Sequence, residues 1–247
     1  MRSSTTSSKP SSKTASKPGK LLRLNRYLAD CGLGSRRKVE ELITAGEISI
    51  NGEICTDLAS QVNPSTDEVR HNGKLLAAQQ QKLYLVLNKP LGYVVSHSDE
   101  YGRKTVYSLL PEHFANLPYA GRLDKNSEGL LLFTNDGTLI KQLTHPSHKV
   151  EKSYRVVIDR RLNRAALTQL REGVMIEGGI TQSAGVYVKQ QSDSGMQLKI
   201  VIKEGRKRQI RQMIEGVGAK VVSLRRLQFS ITCRCRFVAL HTLRHFG

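Results

Sequence analysis

The stretch GRLDKNSEGLLLFTNDG, residues 121–137, decides how the second half of this chain folds. Its centre, LLLFT at 130–134, is an apolar run that ends at NDG, a sequence typical of a tight turn. We therefore predict a buried strand followed by a turn. An acid, Asp124, precedes this strand by a few residues and follows directly on Arg122 and Leu123. The strand would thus anchor a loop that carries a carboxylate.

The segments on both sides of this stretch alternate between strand and helix patterns. YLVLNKP and LGYVVS, between residues 84 and 96, predict two strands separated by a Pro-Gly turn. Apolar periodicity predicts further strands at 154–158, 186–189, 197–203 and 220–224, and helices near 138–143, 164–171 and 207–217. Strands outnumber helices and connections are short. Residues 82–247 are therefore expected to form an α+β domain with a mostly antiparallel mixed sheet.

Residues 21–78 predict a separate small module of two short helices and a hairpin. LRLNRYLADCG and RRKVEELITAG have helical spacing, Ser35 can cap the second helix, and Asn51-Gly52 is a strong hairpin turn. The first turn of the second helix contains Arg36, Arg37 and Lys38, which oppose the helix dipole. Together with the free backbone amides they would bind a phosphate. The alternative is a merely solvated charged turn.

Charge and composition limit the classes of partner. The chain has 247 residues and a formal net charge of +18. Residues 1–20 hold five basic and no acidic residues, and residues 201–247 hold eleven basic and two acidic residues. Such a field attracts polyanions, and nucleic acid fits better than an acidic membrane surface, since no basic amphipathic helix with a bulky apolar face is evident. No apolar run is long enough to span a bilayer, so no membrane partner is expected.

The first twenty residues are rich in Ser, Thr, Lys and Pro and predict a disordered basic tail. An organelle transit peptide is the alternative for this segment. Four cysteines in a chain of this size do not make a disulfide framework. Reduced thiols and a cytoplasmic location are expected.

The segment KEGRKRQIRQMIEGVG, residues 203–218, predicts an amphipathic helix. Its apolar face is formed by Ile210, Met213, Ile214 and Val217. The opposite face and the helix start are basic, with Arg206, Lys207, Arg208 and Arg211. An apolar face explains burial but not this concentration of positive charge. RNA contact by Lys207, Arg208 and Arg211 is therefore predicted.

Several motifs resemble known RNA-modifying proteins. LNRYLADCGLGSRRKVEELITAGEISINGE resembles the S4-type RNA-binding domain. GRLDKNSEGLLLFTNDG, NKPLGYVVS, LTHPSHKVEKSYRVVI and EGRKRQIRQMIEGVGAKVVSLRR together resemble RNA pseudouridine synthases of the RsuA family, which includes RluB, RluE and RluF. The resemblance covers most of residues 21–227. It implies an isomerase that converts a uridine of ribosomal RNA to pseudouridine, with large-subunit RNA favoured over small-subunit RNA.

The resemblance also implies roles for individual residues. Asp124 corresponds to the nucleophile, Tyr154 to the tyrosine that packs on the target base, and Arg206 to the arginine that pairs with the aspartate. The substrate pocket is implied to include Arg122, Leu123 and Leu224. An arginine partner would keep a shielded carboxylate ionised. The target uridine must leave its stack to be reached. Whether the carboxylate attacks the base or the ribose stays open.

No cofactor is predicted, because the chain has neither a Walker-type loop nor a strand-linked G-x-G-x-x-G. Isomerisation needs neither redox chemistry nor an energy input. Cys233, Cys235, His241 and His245 superficially suggest zinc, but their spacing is poor for a zinc finger, so no metal is predicted. We expect a monomer. After Ser230 the sequence departs from the family pattern.

Two other functions compete with the isomerase. A non-catalytic ribosomal-RNA-binding or ribosome-assembly protein would use the same basic surfaces but would not need Asp124. An S4-bearing RNA methyltransferase would need a glycine-rich cofactor loop, which the sequence lacks. The carboxylate among cations therefore favours the isomerase.

Overall fold

The computed structural model describes residues 21–77, 82–192 and 194–230, and the backbone of 241–243. The chain divides into two compact units, residues 1–80 and 81–247. The tail predicted for residues 1–20 lies outside the described residues. Among the helices that the structure describes, none is both long and apolar enough to cross a membrane.

The N-terminal unit consists of two helices and small antiparallel sheets. Its elements are β1 (Leu22–Arg23), α1 (Leu24–Asp30), α2 (Arg36–Thr44), β2 (Ile48–Ile50), β3 (Glu53–Ile54), β4 (Gln61–Val62), β5 (Val69–His71) and β6 (Lys74–Leu75). The main sheet has the order β3-β2-β5-β6. The hydroxyl of Ser35 accepts a hydrogen bond from the amide of Lys38 at 3.3 Å, so the predicted cap of α2 is confirmed. One side of each helix packs on the sheet through buried aliphatic residues, among them Leu24, Leu28, Val39, Ile43 and Ile48.

The C-terminal unit is built on one large sheet. Its elements are β7 (Tyr84–Lys89), β8 (Glu128–Thr134), α3 (Gly137–Thr144), β9 (Glu151–Ile158), α4 (Arg164–Glu172), β10 (Met175–Ile176), β11 (Gly179–Ile180), β12 (Gly185–Ser192), β13 (Gly195–Ile202), α5 (Gln209–Gly216), β14 (Val221–Ser230) and β15 (His241–Leu243). Three 3-10 turns lie at Val106–Leu109, Glu112–Phe114 and Pro146–His148. The sheet order is β12-β13-β9-β14-β8-β7-β15.

Most strand pairs in this sheet are antiparallel, whereas β14·β8 and β15·β7 are parallel. The predicted α+β class with a mostly antiparallel mixed sheet is thus confirmed. The strands predicted at 130–134, 154–158, 186–189, 197–203 and 220–224 and the three predicted helices all form. Their buried residues make one apolar core on which α5 packs through Ile210, Met213 and Ile214.

The strand predicted for LGYVVS is wrong. Within this segment the described chain forms only an isolated bridge, between Val94 and Thr105. The reason is that its backbone groups bond elsewhere: the amide of Gly92 donates to the carbonyl of Lys125 at 2.9 Å, and the amide of Val94 donates to that of Lys104 at 3.0 Å. The segment is therefore a loop tied to the stretch that follows Asp124.

Gly129 allows β14 to lie directly beside β8. Its φ is +103°, and a side chain here would collide with the backbone nitrogen and oxygen of Arg226. Glu128 and Gly129 pair in parallel with Arg225 and Arg226. The start of β8, and with it the loop that carries Asp124, is thereby fixed against β14.

Candidate active site

A cavity of about 420 Å³ opens where the loop before β8 meets β9, β14 and the segment leading into α5. It brings together most of the residues that the sequence predicts for the site: Arg122, Leu123, Asp124, Tyr154, Arg206, Lys207, Arg208 and Leu224. The lining combines apolar side chains with several cations. Its volume lies in the range of small-molecule and cofactor sites.

Asp124 lies in the loop ahead of β8 and is partly exposed to the cavity. Its backbone carbonyl accepts a hydrogen bond from the amide of Ser127 at 3.0 Å, which closes a turn. The side chain of Leu123 is buried in the core and anchors the loop on the other side. Among the residues that the structure describes, no side chain forms an ion pair with the Asp124 carboxylate. The carboxylate is therefore available to a substrate.

Lys89, the last residue of β7, is fully buried and supports this loop. Its Nζ donates hydrogen bonds to the carbonyl oxygens of Ser127 at 2.7 Å, Pro90 at 2.9 Å and Lys125 at 3.4 Å. Burial lowers the pKa of Lys89 to about 8, and the negative charge of Asp124 acts against this shift. The sequence interpretation missed this residue, although the NKP motif that contains it was part of the resemblance.

Arg211 is the second cation on which the charge of Asp124 acts. Burial lowers the pKa of Arg211, the nearby positive charge of Arg208 lowers it further, and Asp124 opposes both. Its Nη2 donates to the carbonyl of Asn126 at 2.6 Å, and its Nη1 to that of Val221 at 3.5 Å. The guanidinium thus holds the loop that carries Asp124 from the side of α5.

The structure does not place Arg211 on the exposed surface that its predicted contact with RNA would require. Helical spacing placed Arg211 opposite the apolar face, but only 9% of the residue is exposed. α5 is covered on this side as well, because the loop after Asp124 packs against it. Lys207 and Arg208 are exposed and line the cavity, and their contact with RNA remains a prediction.

The structure does not form the ion pair predicted between Arg206 and Asp124. In the structure Arg206 Nε donates to Glu204 Oε2 at 3.1 Å. Its Nη1 and Nη2 donate to the carbonyl oxygens of residues 178–180 at 2.9 to 3.2 Å. The β10–β11 hairpin offers these carbonyls and Glu204 supplies the counter-charge, so four of the five N–H donors of the guanidinium are engaged. Arg206 fastens this hairpin at the edge of the cavity.

Tyr154 and Leu224 lie next to each other in the wall of the cavity. Tyr154 on β9 is 8% exposed, and Leu224 on β14 is 6% exposed. Tyr154 is the register partner of Arg226, and Leu224 is that of Val156. Strand pairing therefore sets an aromatic ring and an aliphatic side chain on one surface of the sheet. Such a pair can receive the face of a planar base.

Arg226 and Lys152 are two further cavity residues that the sequence interpretation missed. Arg226 on β14 is 3% exposed, and its guanidinium carbon lies 4.5 Å from the centre of the Phe229 ring. Burial lowers its pKa, and an interaction with Tyr154 partly offsets this effect. Burial and the charge of Arg226 lower the pKa of Lys152 on β9. The sequence signal was the pair of basic residues inside apolar strands.

Arg36, Arg37 and Lys38 are exposed in the first turn of α2, in the N-terminal unit. No acidic residue stands in that turn. Phosphate binding at this turn remains a prediction. The side chains of Cys233, Cys235, His241 and His245 lie outside the described part of the chain.

Comparison with known proteins gives concordant matches over both units. The family model described as RNA pseudouridylate synthase matches residues 83–216, and the S4 domain model matches residues 22–69. The uncharacterized RNA pseudouridine synthase YtzG of Bacillus subtilis is 38% identical, over 83% of this chain and 87% of its own. The ribosomal large subunit pseudouridine synthase B of Bacillus subtilis is 36% identical, over 84% and 85% of the two chains. The crystal structure of a pseudouridylate synthase is 31% identical with a TM-score of 0.58, over 84% and 88% of the chains.

Proposed function

The chain belongs to the RNA pseudouridylate synthase family and is an RNA pseudouridine synthase, and on this premise we propose that it isomerises a specific uridine of large-subunit ribosomal RNA with Asp124 as the nucleophile. The observation that carries the proposal is the position of Asp124. Its carboxylate faces a nucleotide-sized, cation-lined cavity and forms no ion pair with a described residue. The proposed RNA comes from the relative that is named for the large ribosomal subunit.

The reaction follows from the contents of the cavity. The target uridine leaves its stack, and the ring of Tyr154 and the side chain of Leu224 receive the base. Asp124 forms a covalent bond to the nucleotide and the bond between ribose and the base nitrogen breaks. The base then turns, carbon 5 bonds to the ribose, and the bond to Asp124 breaks, which regenerates the carboxylate. Carbon 5 loses its proton and the freed base nitrogen gains one, so substrate and product are isomers. No electron or phosphoryl group is transferred, so the chemistry requires no cofactor.

Two buried cations set the electrostatics of this step. The ammonium group of Lys89 and the guanidinium of Arg211 each donate to carbonyl oxygens of the loop that carries Asp124. Both cations interact electrostatically with the Asp124 carboxylate. Their hydrogen bonds to the loop keep Asp124 directed at the substrate.

The substrate is bound as RNA over a wider surface than the cavity. The S4 domain, the exposed cations in the first turn of α2, and Lys207 and Arg208 provide contacts to phosphates. A site in ribosomal RNA implies that the protein acts in the cytoplasm, on the ribosome or its precursor. That a monomer suffices remains a prediction.

The first test is the Asp124→Asn variant on ribosomal RNA fragments. We expect no pseudouridine, because an amide is a far poorer nucleophile, and RNA affinity within about twofold of the wild type. Glu172→Gln, which removes one negative charge on the exposed face of α4, is the matched control and should leave turnover unchanged. Normal turnover by Asp124→Asn would remove Asp124 from the nucleophile role.

The second test is pseudouridine mapping of ribosomal RNA from cells with and without the gene. Loss of a single site in large-subunit RNA is expected and would name the target uridine. Loss of a site in small-subunit RNA would correct the substrate but keep the enzyme. If the pattern is identical in both strains while the protein still binds ribosomal RNA, the non-catalytic assembly protein becomes the better reading.

A further inference from the structure

One wall of the cavity holds a buried arginine whose charge is not neutralised. The Nε of Arg226 donates to the carbonyl of Leu130 at 2.8 Å, and its Nη1 lies 3.4 Å from the carbonyl of Arg122. Within the described chain its Nη2 is buried without a geometrically formed hydrogen bond, and the Tyr154 side chain interacts with the guanidinium. Neither carbonyl carries a net charge, and no described carboxylate forms an ion pair with Arg226. A buried cation without a counter-charge is unfavourable unless a ligand supplies negative charge and a hydrogen-bond acceptor.

A second cation stands beside it. Lys152 is on β9, two residues before Tyr154, and both side chains line the cavity. Its Nζ donates to the carbonyl of Val150 at 3.0 Å, and the remaining donors of the ammonium group are available. The positive charge of Arg226 acts on Lys152 and lowers its pKa. Two partly desolvated cations therefore repel each other in the same wall.

Strand pairing builds this arrangement. Arg226 is the register partner of Tyr154, and Phe229 is that of Lys152. The ring of Phe229 lies against the guanidinium, and the surrounding strands are part of the central sheet. The two cations are thus held on rigid elements rather than on a surface loop. They adjoin the ring on which the target base is proposed to pack.

We propose that Lys152 and Arg226 form a subsite for a backbone phosphate of the substrate RNA adjoining the target uridine, an inference that rests on the proposed function. Every nucleotide that leaves a stack carries a phosphate on each side, so such an anion reaches the cavity together with the base. One phosphate neutralises both cations and accepts hydrogen bonds from the ammonium group and from Nη2.

A neutral ligand would not remove the repulsion between the two cations. A carbonyl oxygen of the base could accept one hydrogen bond but carries no net charge, and its bond to the guanidinium would leave Lys152 unpaired. A phosphate held at this point would fix the sugar of the extruded nucleotide relative to Asp124. Lys152 and Arg226 are accordingly assigned to substrate binding and positioning.

The test replaces single phosphates in the RNA. The probe is a stem-loop that contains the uridine identified by mapping, in three forms: unmodified, with a neutral methylphosphonate on the 5′ side of the uridine, and with one on its 3′ side. Dissociation constants and single-turnover rates are measured for the wild type, for Lys152→Met, and for the matched control Lys189→Met. Lys189 is exposed on β12 and does not line the cavity.

For the wild type, one of the two neutral linkages should reduce the single-turnover rate divided by the dissociation constant roughly 10- to 100-fold, as expected for a charge-assisted hydrogen bond. With unmodified RNA, Lys152→Met should show the same reduction of the single-turnover rate divided by the dissociation constant. The neutral linkage should reduce this ratio by less than about twofold further. Its plot of log affinity against log salt should be shallower by about 0.7. Lys189→Met should behave like the wild type towards all three RNAs.

Arg226→Lys is the second variant, since it keeps the charge but not the planar donors. It should bind the unmodified RNA more weakly than the wild type and should be less sensitive to the same linkage. Unfolding midpoints confirm that the variants are folded. The subsite is refuted if both neutral linkages leave the wild type unaffected, or if Lys152→Met remains as sensitive as the wild type. If the proposed function itself were wrong, the mapping experiment would instead reveal no target uridine.

Discussion

The Nζ of Lys89 lies 2.7 Å from the carbonyl oxygen of Ser127, three residues after Asp124. The ammonium group is fully buried and also donates to the carbonyls of Pro90 and Lys125. A lysine in this position has two effects. It fixes the path of the chain after Asp124, and it places a positive charge close to the carboxylate.

The state of Lys89 predicts an alkaline limit to activity. Its pKa of about 8 lies well below the ordinary value of 10.5, because burial disfavours the charged form. As the pH rises through 8, the ammonium group loses a donor and its charge. We expect the single-turnover rate to fall over this interval, with an apparent pKa near 8. The measurement is the rate at saturating RNA between pH 6.5 and 9.5.

Stability should respond in the opposite direction. Since the folded pKa is lowered, the unfolded chain binds more protons than the folded chain between about pH 8 and pH 10.5, and the contribution of Lys89 to stability rises with pH there. Urea unfolding of the wild type and of Lys89→Met should show this difference. Lys125→Met, at an exposed position of the same loop, is the control. If the single-turnover rate of Lys89→Met fell above pH 8 as it does in the wild type, that fall would be due to another group.

Replacing Arg211 should reduce the rate of the reaction, whereas replacing Arg206 should reduce the stability of the fold. Arg211→Met removes a cation that acts on Asp124, so the single-turnover rate should fall at least about 100-fold with little change in RNA affinity. Arg206→Met releases the β10–β11 hairpin and should destabilise the fold by about 1.5 to 3 kcal/mol, the range for hydrogen bonds to a charged group.

The comparison needs rates and urea unfolding for both variants. Arg206→Lys, which keeps the charge but cannot span the three carbonyls, should be destabilised almost as much as Arg206→Met. The assignment of the two arginines would be reversed if Arg206→Met lost the chemical step at full stability and Arg211→Met did not.

Gly129 should not tolerate a side chain. A Cβ would meet the backbone of Arg226 in the adjacent strand, and the φ of +103° is unfavourable for any other residue. We expect Gly129→Ala to destabilise the chain by at least about 2 kcal/mol, since either β14 or the start of β8 must move. Gly137→Ala is the control, because no atom lies near its Cβ position. Equal unfolding midpoints for the two variants would contradict the close approach of the strands.

The sequence was sufficient to place most strands and the three helices of the C-terminal unit, and the family resemblance brought Asp124, Tyr154 and Leu224 to one site, which the cavity contains. Apolar periodicity reports which side of an element is buried, and the strands of the sheet follow that pattern closely. It cannot report what covers the opposite side of a short helix. For that reason Arg211 was assigned to the surface, whereas the loop after Asp124 covers it.

The choice of partner for Arg206 depended on contacts that spacing does not contain. Arg206 and Arg211 lie in the same segment, and only the packing of α5 decides which of them reaches the loop that carries Asp124. The carbonyl oxygens of residues 178–180 accept hydrogen bonds from Arg206, which holds its guanidinium away from that loop. Lys89 and Arg226 were missed because a basic residue within a strand pattern is usually exposed, and their burial follows from long-range pairing with β8.

The first turn of α2 should contribute to RNA binding without contributing to chemistry. Arg36, Arg37 and Lys38 are exposed where the helix dipole disfavours cations. The amide of Lys38 is already bonded to Ser35, so the three cations would supply most of the attraction for a phosphate. Replacing all three by Gln should weaken binding of ribosomal RNA fragments and reduce the slope of log affinity against log salt by about 2, at roughly 0.7 to 0.9 per phosphate contact.

The single-turnover rate at saturating RNA should stay within about twofold of the wild type, because none of the three residues lines the cavity. Lys74→Gln, at an exposed position of β6 in the same unit, serves as the control for nonspecific loss of charge and should change the salt slope by less than 0.7. Since the three cations oppose the helix dipole, their removal should leave the helix as stable or more stable. An unchanged salt slope in the triple variant would mean that this turn is only a solvated part of the surface, as the alternative reading of the sequence has it.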